Sequence, residues 1–113
     1  MKIEINDHRK LFAIQEEFGT VFSNLKLEFY SRPSHAGAPH PRKLIENYSK
    51  TLGECREVHT KGTITISPSM TLSEIKGNFE DVYGIAIDIV KKNGEQWLSA
   101  VSHNITLEEL NKN

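Results

Sequence analysis

A chain of 113 residues, 37% hydrophobic and 26% charged, has the size and composition of one soluble globular domain. Its formal charge of −1 argues against a protein that grips nucleic acid or an anionic membrane with its whole surface. No apolar run approaches the ~20 residues that span a bilayer, the opening Met1–Asp7 lacks the apolar core of a secretory leader, and the single cysteine, Cys55, excludes an internal disulfide, so the expected compartment is the cytoplasm.

Lys2-Ile3-Glu4-Ile5 alternates polar and apolar, the pattern of a strand with one buried face. Asn6 or Asp7 can cap the helix that follows. Leu11, Ile14, Phe18 and Phe22 recur at spacings of three and four and share one helical face, with Glu16 and Glu17 off that stripe. Gly19 in the same stretch suggests close packing of helix on sheet. Ser23-Asn24 ends the helix, and Leu25, Leu27 and Phe29 are the buried face of the next strand.

Residues 31–61 break the pattern. Ser31 to Pro41 holds three prolines and a glycine and reads as a loop. Pro41 can open a helix carrying Leu44, Ile45 and Tyr48 on one side. Thr51-Leu52-Gly53-Glu54 reads as a capping box. The segment is also the most basic of the chain. Arg32, Arg42, Lys43, Lys50, Arg56 and Lys61 stand against Glu46, Glu54 and Glu57, a net of +3.

From Gly62 the first apolar skeleton recurs. Ile64 and Ile66 match Ile3 and Ile5; Leu72, Ile75, Phe79 and Tyr83 match Leu11, Ile14, Phe18 and Phe22; Ile85, Ile87 and Ile89 match Leu25, Leu27 and Phe29. Thr71 with Glu74 forms a second capping box, and Gly84 stands where a helix ends in a left-handed residue. Asn93-Gly94 signals a type I′ hairpin turn, returning through Trp97 to Val101. Thr106-Leu107-Glu108-Glu109 repeats the capping box before a short C-terminal helix.

Two strand–helix–strand units imply an α+β fold, most simply a ferredoxin-like two-layer sandwich with an extra C-terminal hairpin strand. A β-grasp-like second half is the alternative. The expected organisation is a single domain over 1–113: a first βαβ unit at 1–30, a basic insert at 31–61, a second unit with its hairpin strand at 62–103, and a terminal turn or helix at 104–113.

A two-residue Asn93-Gly94 loop would set Val90 opposite Trp97 and Ala86 opposite Val101, on the sheet face away from the helices. An aromatic ring among valines on a wet face asks for cover. The candidates are the 40–52 segment with Leu44, Ile45 and Tyr48, a second copy of the chain, or a distinct partner.

The chemistry on offer is sparse. His35, His40, Cys55 and His59 are residue types that bind zinc, and Cys55-x3-His59 has a helical spacing, but the set matches no zinc pattern, and neither metal nor cofactor is expected. Arg56 and His59 near Cys55 could lower its thiol pKa, yet no third orienting group is evident. Glu80-Asp81 are adjacent helical residues that do not face each other, and Ser102-His103-Asn104 reads as a turn. No Gly-rich phosphate loop or zinc-protease motif occurs. The chain is therefore not read as an enzyme.

Met70-Thr71-Leu72-Ser73-Glu74 through Val82-Tyr83-Gly84, followed by Lys91 to Leu98 with Trp97, resembles a small family of uncharacterised bacterial proteins. Members carry a Thr-Leu-x-Glu helix, a glycine and a basic hairpin ending in Trp-Leu. The closing Thr106-Leu107-Glu108-Glu109 fits the same family. The resemblance implies a small soluble bacterial protein and transfers no site residue. The expected function is a non-catalytic interaction or assembly module, binding a protein partner or itself through Trp97, Val90, Val101 and Tyr48. The alternative is an anion- or nucleic-acid-binding protein using Arg32, His35, His40, Arg42 and Lys43. Nucleic acid is the less expected partner, because the outward residues Lys2, Glu4, Thr63 and Thr65 offer no ring for base stacking. No membrane partner is expected.

Overall fold

The computed structural model describes residues 1–31, 43–100, 102 and 104–112. The chain is an α+β protein with antiparallel sheets. Strand β1 (Lys2–Ile5) leads to helix α1 (Leu11–Val21) and strand β2 (Leu25–Ser31). Short strand β3 (Lys43–Leu44) and helix α2 (Leu52–Cys55) follow. Strand β4 (Gly62–Thr65), helix α3 (Leu72–Gly77) and a π-helical turn (Asn78–Val82) come next, then strands β5 (Ala86–Asn93) and β6 (Gln96–Ser99) and helix α4 (Leu107–Leu110). No helix among the described residues is long and apolar enough to cross a membrane.

Both matched stripes are buried. Leu11, Ile14 and Phe18 of α1, Leu72, Ile75 and Phe79 of the second helical stretch, and the inward residues of all four long strands form one core. The periodicity that marks these positions is the same property that drives them together, since each fully buried Leu, Ile or Phe side chain contributes roughly 1.5–3 kcal/mol.

The strands do not form a single sheet in the ferredoxin-like order. That order would place β2 and β5 on either side of the β1–β4 pair. Instead β1 pairs with β4 alone, and a separate sheet runs β3-β2-β5-β6. Alternation fixes which face a strand buries but not which strand lies beside it. Here the two longest strands, β2 and β5, pair with each other from Leu25↔Lys91 to Tyr30↔Ala86. Both inter-unit ladders are centred on matched residues: Ile3 lies opposite Ile64, and Glu28 opposite Asp88.

The correspondence extends beyond strand–helix–strand. The β2–β3 ladder pairs Tyr30 with Leu44 and Ser31 with Lys43, and the β5–β6 ladder pairs Val90 with Ser99 and Lys91 with Leu98. The capping turns dock on the helix starts through the same bonds in both halves. Leu11 N–H donates to Lys50 O, and Leu72 N–H to Ile105 O. Leu52 N–H donates to Arg9 O, and Leu107 N–H to Met70 O. Gly53 N–H donates to Asp7 O, and Glu108 N–H to Pro68 O. Segments that the sequence pattern sets apart, the stretch after β2 and the strand after β5, thus occupy matching hydrogen-bonded positions.

Several local expectations change. No helix forms over Leu44, Ile45 and Tyr48. Lys43–Leu44 pairs with β2, Ile45 N–H donates to Phe29 O, and Tyr48 enters a turn. The reason lies in α1. It starts at Leu11 with Lys10 as its cap and no side-chain cap bond. Its first free N–H groups, on Leu11 and Phe12, are satisfied by the carbonyls of Lys50 and Tyr48. Asn6 does not cap the helix either; its side chain accepts from His8 N–H. Gly19 meets nothing where a Cβ would sit, so it marks no close packing. The capping threonines behave as expected: Thr51, Thr71 and Thr106 accept from the N–H groups of Glu54, Glu74 and Glu109. Gly84, at φ +69°, closes the π-helical turn, with its N–H on Glu80 O and Ile85 N–H on Phe79 O.

Candidate interaction surface

The β5–β6 hairpin turns on Gly94-Glu95, not Asn93-Gly94. Only Gly94 has positive φ, at +66°, whereas a type I′ turn needs two such residues in succession. With glycine first, the turn is of the II′ kind, and Asn93 pairs with Gln96 instead of entering the loop. The register moves by two residues, so Trp97 lies opposite Lys92 and Val90 opposite Ser99. A shift of two preserves the faces, so Trp97 and Val90 still share the outer one.

That face covers its own apolar floor. Lys26 sits directly across from Val90 on β2 and extends its ammonium over the Trp97 ring, 5.1 Å from the centroid. Val90 lies beneath this pair and is only 3% exposed, while Trp97 is 39% exposed. Ala86 is buried as well. Val90 and Ala86 are therefore buried instead of wet, and the exposed aromatic ring beside them carries the Lys26 ammonium. Further along the face, Ser99 Oγ donates to Asp88 Oδ2 at 3.2 Å, and the Lys76 ammonium reaches Asp88 Oδ1 at 2.9 Å. Burial, helped by Glu28, Asp88 and Tyr48, pushes the Tyr30 hydroxyl pKa above its ordinary value.

Tyr48 is not part of the Trp97 cluster. It packs half-buried on the core beside the start of α1 and close to Tyr30. Tyr30 pairs with Ala86 and Trp97 with Lys92, six residues apart along β5, or roughly 20 Å. Of the predicted anchors, Val90 and Trp97 come together and Tyr48 stands apart. Lys43 is exposed on β3. Val101, Arg32, His35, His40 and Arg42 lie outside the described residues, and so does His103.

The far edge of β6 carries a feature with no sequence signal: among the described residues no strand pairs with it. Lys92 N–H donates to Asn24 O on the β2 side, so Lys92 turns its backbone away from β6. In an antiparallel ladder the opposite residue does the same. Trp97, and Ser99 two positions on, therefore direct N–H and C=O outward to the sheet edge. All four residues of β6 are exposed, and none is charged or proline. On the inner side, Leu98, 45% exposed, borders a groove of about 280 Å³ that Ala100, Leu110, Lys91 and Lys92 also line.

A second polar cluster joins the two halves. Asp7 Oδ1 accepts from the Arg56 guanidinium at 3.0 Å, and Asp7 Oδ2 lies 2.7 Å from His59 Nδ1. The Arg56 side chain is fully buried and also donates to Tyr83 O at 2.9 Å. The His59 contact, with Arg56 behind it, lowers the Asp7 carboxyl pKa against the opposing pull of burial. α2 ends at Cys55 and Arg56 is extended, so Cys55 and His59 do not share the helical face that a common metal ion would need. Among the described residues no group of three or more His, Cys, Asp or Glu is placed to hold a metal. Burial pushes the Cys55 thiol pKa up against the opposing pull of Lys50, the reverse of what its neighbours in sequence suggested.

Comparison of the chain with protein-family models, with curated proteins and with solved structures returns no match.

Proposed function

We propose that the protein is a non-catalytic interaction module of the cytoplasm that engages a protein partner along the open edge of β6. The observation that carries this reading is the edge itself. In a strand of four exposed, uncharged residues, Trp97 and Ser99 direct their backbone groups outward, and no strand among the described residues pairs with them there. Protein edges are normally blunted by charge, proline, a bulge or extreme shortness, and a strand that escapes all of these is suited to accept another strand. Trp97 is the anchor, with Val90 as the packed floor that fixes its ring.

The non-catalytic part rests on the polar groups. His59 and Arg56 both spend themselves on Asp7, and the Cys55 thiol is disfavoured as a thiolate. A free, half-buried cysteine also suits a reducing compartment. We further read the whole chain as two βαββα copies, supported by the matched ladders and capping bonds. On this reading function lies where the copies differ.

The test compares partner capture by wild type, Trp97→Ser and Ser99→Pro. Proline at 99 removes an outward N–H without touching the ladder to β5. Loss of the same defined partners in both variants supports an edge interaction. An unchanged partner set in both contradicts it.

A further inference from the structure

We infer that the strand β6 accepts is an extended segment of a partner protein in which acidic and apolar residues alternate. The inference rests on the edge reading above and adds the chemistry of the occupant. A strand laid against Trp97 and Ser99 would present successive side chains to opposite faces. On the inner face it would meet Leu98 and the groove bounded by Ala100 and Leu110, which suits an apolar side chain. On the outer face it would meet Trp97, with Lys92 directly across from that residue and Lys26 over its ring. Two strand spacings, roughly 10 Å, separate such a strand from β5, within reach of a lysine stem and a carboxylate side chain together.

Charge decides between occupants. The charges that face the Trp97 side are Lys92 and Lys26, while the groove, lined by Leu98, Ala100 and Leu110 and bordered by Lys91, holds no carboxylate among the described residues. Lys91 donates to the Lys112 carbonyl, which leaves its charge unneutralised by that contact. Among the acids of this region Glu28 and Asp88 each face a lysine, Glu95 lies in the turn, Glu109 accepts from the Thr106 hydroxyl, and Glu108 is exposed on α4. A second copy of the chain would bring a second set of these lysines to the same edge. An acidic strand brings the opposite sign, which favours the right partner and steers encounter. The alternation also sets polarity: carboxylates on the Trp97 side, apolar residues on the Leu98 side.

The test uses the full chain and three fluorescein-labelled probes read by anisotropy. They are a ten-residue peptide alternating glutamate with valine or threonine, the same peptide with lysine for glutamate, and a mixed-sequence single-stranded oligonucleotide. The acidic peptide is expected to bind and the lysine peptide to bind at least about tenfold more weakly. Lys92→Glu, a surface change that leaves the hairpin intact, should reverse that order. Ser99→Pro should abolish binding of the acidic peptide. Equal binding of the two peptides, or binding of neither, overturns the inference, as does preferential binding of the oligonucleotide. A doubled mass in light scattering that Ser99→Pro abolishes would identify a second copy as the occupant and overturn it too. If the acidic peptide fails while Ser99→Pro still severs captured partners, the edge reading stands and only the partner's chemistry falls. If Ser99→Pro changes neither result, both fall.

Discussion

Strands β3 and β6 close their hairpins at matching positions, yet they are different kinds of edge. β3 is two residues long and begins with a lysine, so it offers another chain almost nothing to pair with. β6 is twice as long, carries no charge, and displays Trp97 and Leu98 on its two faces. The cores behind them are built alike, with α1 and α3 docked by the same capping turns. The contrast teaches that packing constrains the two halves equally and that the surface does not. One edge is short and charged, the other longer and uncharged.

The comparison can be sharpened first at the core. Phe18 and Phe79 are both fully buried at matching positions. Each change to alanine should cost about 3–5 kcal/mol in denaturant unfolding. Similar costs are expected; a large disparity would break the equivalence of the halves. The next largest effects lie within the second half. Gly84→Ala should destabilise by about 2 kcal/mol, because Gly84 combines positive φ with a close approach to Val58, whereas Gly94→Ala meets open space and should cost about 1 kcal/mol. Thr51→Ala and Thr106→Ala each remove a helix cap and should each lower stability by about 1 kcal/mol in thermal unfolding.

The smallest effect is in the pH dependence. Asp7 has its folded pKa below the ordinary value of 3.8, so its contribution is full above that value and is lost as pH falls through the folded pKa. Asp7→Asn should therefore flatten the acid limb of a stability profile below about pH 4. An unchanged limb would show that the contacts of Asp7 with Arg56 and His59 contribute nothing to stability.

Much of this was legible in the residues. The two buried stripes, the three threonine caps and the hairpin after Ile89 follow from periodicity and from side-chain oxygen at fixed offsets. Strand partnership was not legible, because β2 and β5 expose the same alternation whichever neighbour they take. Nor was the absence of a helix over Leu44–Tyr48. Lys43–Leu44 and Ile45 pair with β2, and the carbonyls of Tyr48 and Lys50 serve the start of α1, tertiary demands that override the local pattern. The hairpin register slipped by two because Asn93-Gly94 favours one turn and the φ values of this hairpin another. The Asp7–Arg56–His59 cluster had no sequence signal, because Asp7 lies about fifty positions from Arg56 and His59 in the chain.

The open edge of β6 is tested most directly by amide hydrogen exchange at single residues, with and without the acidic–apolar peptide. Fast exchange is expected at Trp97 and Ser99 and slow exchange at Leu98 in the free protein, because of these three Leu98 alone directs its N–H toward β5. On adding the peptide, Trp97 and Ser99 should slow while Leu44 on β3 stays unchanged. Protection of Trp97 and Ser99 already present in the free protein, at every protein concentration, would contradict an open edge.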